Sequence, residues 1–153
     1  MRRIDRLFSE YGESHQNRVN EIIHWIFVPL IFFSIACFIW SLPFPFYLGL
    51  GINWISVAIG LITSYYLLLS PTLAIGMFLI MILNLYGILR LDAWAETPVW
   101  KIALGIFAVS WVFQFAGHQI EGKKPSFLKD LQFLLIGPAW LLHFVYKKLG
   151  IPY

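Results

Sequence analysis

Ser14-His15-Gln16-Asn17-Arg18-Val19-Asn20-Glu21-Ile22-Ile23-His24 leads without interruption into Trp25-Ile26-Phe27-Val28-Pro29-Leu30. From Ile22 to Leu89 the chain then carries no Asp, Glu, Lys or Arg. That run is several times the roughly 20 apolar residues that one helical membrane span needs. A polar, histidine-bearing string thus enters a lipid-compatible stretch directly. A histidine at the mouth of an apolar span is costly to bury unless something binds it, which makes His24 a candidate functional residue. A second polar cluster, Gln114-Phe115-Ala116-Gly117-His118-Gln119-Ile120-Glu121-Gly122, falls where the last clear apolar span ends.

The composition agrees with a membrane protein. Of 153 residues, 59% are hydrophobic and 12% charged, against about 25% charged in soluble proteins. Arg2, Arg3 and Arg6 are not followed by a short apolar core and cleavage site, so no cleaved signal peptide is expected and the first span itself acts as the targeting signal. Cys37 is the sole cysteine and lies within that span, which excludes a disulfide framework and a thiolate metal site. The net charge of +3 is modest, and the basic residues flank the spans. This placement speaks for membrane orientation and against nucleic-acid binding.

The predicted fold is an all-α integral membrane protein with four transmembrane helices, a broken or re-entrant fifth apolar segment and a short N-terminal interfacial helix. Ile4, Leu7, Phe8 and Tyr11 fall at i, i+3, i+4 and i+7, so residues 2–11 read as an amphipathic helix docked on lipid. Gly12 is a plausible stop, and Ser14 is the expected cap of the next helix. The spans are expected at 22–42, 46–69, 71–90 and 98–118. Pro43-Phe44-Pro45, Ser70-Pro71 and a polar loop from Leu91 to Thr97 separate them. The segment 127–149 is apolar enough to span but contains Gly137-Pro138. Four spans put Arg2, Arg3, Arg6, Arg18, Lys123, Lys124 and Lys129 on the cytoplasmic side, whereas Lys147 and Lys148 join them only if the fifth segment turns back or lies in the interface. The chain is thus one membrane domain: polar interfacial 1–21, spans across 22–118, and 119–153 as polar loop plus broken apolar segment. Four spans also bring both histidine clusters to one face.

Neutral imidazole serves Fe, Zn and Cu alike, and carboxylates often complete the set. Glu21-x-x-His24 and His118-x-x-Glu121 each place a carboxylate and an imidazole on one helical face, the spacing of carboxylate-bridged di-metal bundles. Either pair alone is weak evidence, because a surface glutamate pairs as readily with a nearby cation. Asn17, Asn20 and His24 form one helical stripe. His15 does not: nine residues at 100° put it opposite His24, about 13.5 Å away along the axis. Either the chain breaks between them, His15 folds back from a preceding loop, or one of the two acts at a remove from the metal. The asparagines suit orienting hydrogen bonds or headgroup contacts. Lys123-Lys124-Pro125 reads as a cytoplasmic anchor or as a clamp for a lipid carboxylate. His143, three residues after Trp140, reads as an interfacial histidine. No nucleophile elbow, phosphate loop or dinucleotide fingerprint occurs. The histidine boxes of membrane desaturases need more than the four histidines present.

Tyr11-Gly12-Glu13-Ser14-His15-Gln16-Asn17…Asn20…His24-Trp25-Ile26…Val28-Pro29-Leu30 resembles the N-terminal signature of the 2-hydroxy fatty acid dioxygenase family, small membrane proteins whose fungal member acts in phytosphingosine breakdown. Gln114-Phe115…Gly117-His118…Glu121-Gly122…Pro125 is similar to its second signature. The resemblance implies an Fe(II)-dependent dioxygenase that converts a 2-hydroxy fatty acid and O₂ to the acid one carbon shorter plus CO₂. It implies His15, His24 and His118 as iron ligands and Glu121 as a ligand or base. Asn17 and Asn20 are its motif polar residues; they are candidate substrate contacts, as are Lys123 and Lys124 from the clamp reading above. The reaction balances with all four electrons drawn from the substrate, in agreement with the missing nucleotide motif. The alkyl tail would lie among the spans. The membrane expected is the bacterial cytoplasmic one, with the N-terminus and both motifs facing the cytoplasm. Two other classes compete. A lipid-binding or small transport protein would hold no stoichiometric iron, and a zinc-dependent membrane hydrolase would need no O₂.

Overall fold

A computed structural model describes residues 2–45, 52–122 and 127–153, with side chains from 133 onward in the last segment. Among the described residues there are six α-helices and no strand: α1 (Arg3–Gly12), α2 (Arg18–Ser41), α3 (Trp54–Leu69), α4 (Pro71–Trp94), α5 (Val99–Glu121) and α6 (Phe127–Leu149). Three of them, α2, α4 and α5, are each long and apolar enough to cross a membrane.

The amphipathic stripe of α1 has the predicted spacing but a different partner. Ile4, Leu7, Phe8 and Tyr11 are buried in the protein core, and α1 packs on α6. Lipid was expected to cover this face; the protein's own last helix covers it instead. Arg2 forks onto Asp5, with Nε–Oδ2 2.9 Å and Nη2–Oδ1 2.8 Å, and this pairing holds the Asp5 carboxyl below its usual range.

The cap of α2 is Asn17, which accepts from the Val19 N–H at 2.9 Å. The expected cap, Ser14, lies three residues before Asn17 and lends its backbone carbonyl to Asn20 Nδ2. Pro29 lies inside α2 without ending it. In α3 the capping box is Asn53 with Ser56. At 16 residues, α3 is about 24 Å long, short of the roughly 30 Å hydrocarbon layer. The second span expected over 46–69 is therefore helical from Trp54 among the described residues, and 46–51 lie outside them. Pro71 occupies the first turn of α4, as predicted, and Ser70 caps that helix. Helix α4 runs on to Trp94, so Asp92 is helical and the connection to α5 is shorter than the expected loop.

Two corrections bear on the site. Helix α5 extends past His118 to Glu121 and stops at Gly122, whose φ of 73° is the left-handed conformation that glycine adopts without strain. The fifth apolar segment is one helix assigned straight through Pro138, not a broken one. It packs against α1, α2 and α4 and buries Ile136, Ala139, Trp140 and Tyr146.

The most extensive pairing is α2 with α5. Ala103, Ser110 and Gly117 recur at seven-residue intervals on the buried face of α5, and such small residues let helix backbones approach closely. At Gly117 the approach is closest, because a Cβ there would overlap Asn20 Oδ1. The two helices run antiparallel. The start of α2 at His24 meets the end of α5 at His118, and Phe27 stacks on Phe113 with centroids 4.4 Å apart.

Candidate metal centre

His15 lies in the turn between α1 and α2, His24 two turns into α2, and His118 in the last turn of α5. Their rings converge, with centroids 4.0 Å apart for His15–His24, 5.2 Å for His24–His118 and 5.8 Å for His15–His118. One ring nitrogen from each lies within 4.8 Å of the other two. Of the three ways to reconcile His15 with His24, the loop that folds back is the one present. The turn is tightened by Ser14 N–H to Tyr11 O and His15 N–H to Gly12 O.

The hydrogen bonds fix the chemistry of two of these rings. His15 Nδ1 lies 2.6 Å from Tyr11 O, and His24 Nδ1 lies 2.9 Å from Asn20 O. A carbonyl can only accept, so each Nδ1 carries the proton and each Nε2 keeps a lone pair. This is how metal-ligating histidines are usually held, one nitrogen tied to a backbone acceptor and the other turned to the metal. The ring of Tyr11 stacks on His15 at 4.2 Å, with Trp140 5.4 Å from His15. His24 is only 2% exposed. The donor set therefore fits a divalent transition-metal ion, for which M–N distances of about 2.1 Å are typical.

Glu121 takes a different place from the one expected of a ligand or base. Its Oε1 accepts from Gln16 N–H at 2.9 Å; its Oε2 accepts from Asn17 N–H at 2.9 Å and from Asn20 Nδ2 at 3.1 Å. It lies outside the group of converging ligand atoms. The carboxylate ties the end of α5 to the loop that carries His15. Glu21 likewise stays outside that group, so neither Glu/His pair forms the di-metal arrangement among the described residues.

Asn20 is fully buried (0% exposed) and links Ser14, Glu121 and, through its backbone carbonyl, His24. Asn17, a candidate substrate contact, has its side chain engaged in capping α2. Lys123 and Lys124 lie outside the described residues. His143 is buried in α6, donates from Nδ1 to Trp140 O at 2.7 Å, and sits between the rings of Phe8 and Phe144 at 4.9 and 4.3 Å. It is not in the cluster.

The sequence placed Tyr11 on a lipid-facing stripe and in the first signature but gave it no role at the histidines, although Tyr11 supplies both the carbonyl and the ring that orient His15. The signal was its position four residues before that histidine, on the buried stripe of α1.

A family model described as "2-hydroxy-palmitic acid dioxygenase Mpo1-like" matches residues 1–149. The 2-hydroxy-palmitic acid dioxygenase MPO1 of Saccharomyces cerevisiae is 34% identical over 144 residues, 92% of this chain and 78% of the yeast protein. No solved structure matches the chain. Both signature strings fall within the matched residues, and the family match runs through all six helices, so the chain belongs to the 2-hydroxy-palmitic acid dioxygenase Mpo1-like family.

Proposed function

We propose that the protein is an Fe(II)-dependent dioxygenase that shortens a 2-hydroxy fatty acid by one carbon at the membrane surface. The observation that carries this reading is the convergence of His15, His24 and His118, with the Nδ1–H of two of them tied to backbone carbonyls. The similarity to the yeast dioxygenase supports the substrate class. The overall change is R-CHOH-COOH + O₂ → R-COOH + CO₂ + H₂O. The bond between C1 and C2 breaks, the substrate supplies all four electrons, and no reducing co-substrate enters.

When bound, Fe(II) would supply the one-electron chemistry that lets O₂ react with a closed-shell substrate. The chain's own groups do the rest. His15, His24 and His118 would hold the ion, a three-histidine set that leaves other positions open. The Tyr11 and Asn20 carbonyls keep the first two rings in the right tautomer. Glu121, through the Gln16 and Asn17 amides, keeps the His15 loop closed on α5. Tyr11, Trp140 and the buried Asn20 restrict water at the inner side of the cluster. The alkyl chain of the substrate extends along the apolar helices, so a site at the span ends meets the acid at the depth where its headgroup lies. We place this end of the bundle on the cytoplasmic side of a bacterial membrane, because Arg2, Arg3, Arg6 and Arg18 flank it.

The test is anaerobic purification in detergent, reconstitution with Fe(II), and supply of 2-hydroxypalmitate and O₂, with pentadecanoic acid as the product sought. Product with iron, but none with zinc and none from His24→Ala, is expected. Turnover that persists with zinc or without O₂ would overturn the dioxygenase reading in favour of a hydrolase. Absence of both bound metal and product would favour a lipid-binding or transport protein.

A further inference from the structure

His118, Gln114, Ser110 and Ile106 follow one another at four-residue intervals and form a single ridge of α5. Two of them are buried polar groups without a partner among the described residues. Gln114 is 4% exposed with Nε2 unbonded, and Ser110 is 1% exposed with its hydroxyl unbonded. Ser110 shares an unbonded hydroxyl with Thr63 of α3 but differs in this from Ser34, Ser41 and Ser64. The hydroxyls of Ser34, Ser41 and Ser64 all bond back to a carbonyl of the preceding turn, the ordinary resting place of a serine within an apolar helix. Buried donors left unsatisfied destabilise the protein, so an unsatisfied row that starts one turn from the histidines points to a ligand that completes it.

Beyond Ser110 the character of the seam changes. A groove of about 310 Å³ opens between α2 and α5, lined by Phe27, Leu30, Gly105, Ile106, Val109 and Ser110. Apart from Ser110 its wall is apolar. Phe27, stacked on Phe113, forms the end nearer the histidines. Gly105 marks the far end, thirteen residues from His118 and so about 20 Å along the helix. A Cβ at Gly105 would meet nothing within 4 Å, so the space beside it is open.

The polarity along this path runs in one direction: metal-binding imidazoles, a carboxamide, a hydroxyl, then hydrocarbon. We propose that a long-chain hydroxy acid lies along it. Its polar head sits beside the histidines and accepts a hydrogen bond from Gln114, its alkyl chain fills the groove, and Gly105 limits the chain length that fits. This inference rests on the 2-hydroxy fatty acid reading above and adds where the chain lies and what selects it.

Two measurements separate its failure from failure of that reading. The first needs no turnover. Metal-free protein in detergent is photolysed with 2-hydroxypalmitate bearing a terminal diazirine, and the labelled peptides are mapped. Label on the α2 and α5 segments that contain Leu30 and residues 105–110, removed by excess unlabelled 2-hydroxypalmitate, is expected. Label elsewhere, or label that the competitor leaves in place as on any lipid-facing surface, overturns the groove.

The second is the ratio of kcat/KM for 2-hydroxypalmitate to that for 2-hydroxydecanoate. Gly105→Leu is expected to lower that ratio by about ten-fold or more, the scale on which a pocket discriminates methylenes. Gly60→Leu, on α3 with equally open space, leaves it unchanged. Gln114→Leu raises KM for both acids alike. Active wild-type protein with an unshifted ratio in Gly105→Leu would sink the groove alone. Wild-type protein that turns over neither acid would sink the proposed function, while the labelling still decides the groove.

Discussion

His15 and His24 owe their geometry to backbone carbonyls four residues earlier, Tyr11 O and Asn20 O. The proton on each Nδ1 is thereby fixed without any charged partner. Glu121 is the residue on which the loop depends, since one carboxylate receives Gln16 N–H, Asn17 N–H and Asn20 Nδ2. Glu121→Gln keeps the shape but offers a single acceptor oxygen and turns an NH₂ toward backbone donors. We expect a loss of about 1–2 kcal/mol in thermal stability, by the usual worth of hydrogen bonds to a charged group. Affinity for Co(II), read from its visible absorption, should fall on the order of 10–100-fold, as for other groups that orient ligands. A variant that bound Co(II) as tightly as the wild type would show that the loop holds His15 by itself. Much of this scale was legible in advance: the three histidines could be picked out by type and position. That Glu121 fastens a loop could not, because the amides it meets lie more than a hundred residues away in the chain.

At the scale of elements, the seam between α2 and α5 sets the distance between His24 and His118. Its closest point is Gly117 against Asn20, and Asn20 has little freedom to retreat because Ser14 and Glu121 hold its Nδ2. Gly117→Ala should therefore push the helices apart and cost about 1–3 kcal/mol, the range for overpacking. Its midpoint of thermal unfolding should fall and its metal affinity with it. Gly60→Ala, where a Cβ meets nothing, is the comparison that should show no loss; equal behaviour of the two would refute the close-approach argument. Helix α1 teaches a related point. Its periodicity announced one apolar face, but periodicity does not say whether lipid or protein will cover that face. Here α6 does. In the same way Gly137-Pro138 announced a break, yet α6 continues. Proline removes one backbone donor and strains one turn, and the packing of α6 against α1, α2 and α4 holds the helix together across it.

At the scale of the molecule, α5 (Val99–Glu121) is long and apolar enough to cross a membrane and carries the histidine cluster at its final turn. Single cysteines in a background with Cys37 replaced test the resulting topology in sealed inverted vesicles. Glu13→Cys and Gln119→Cys should react with a membrane-impermeant maleimide from the same side, and Glu96→Cys only from the opposite side. Reaction of all three from one side would mean that α5 does not cross.

Charge depletion over 22–89 marked the chain as a membrane protein, and the clustering of histidines beside it singled out the candidate metal ligands, because burying charge in hydrocarbon is prohibitive and few side chains bind metals. The Ser70-Pro71 turn was likewise open to reading, since it acts within a few residues. Tertiary structure alone decided which of three arrangements brings His15 to His24 and which surfaces cover α1. Each of these depends on contacts between segments far apart in the chain: the end of α5 on the His15 loop, and α6 on α1. Their energies arise only when the helices pack, so no pattern confined to one segment encodes them.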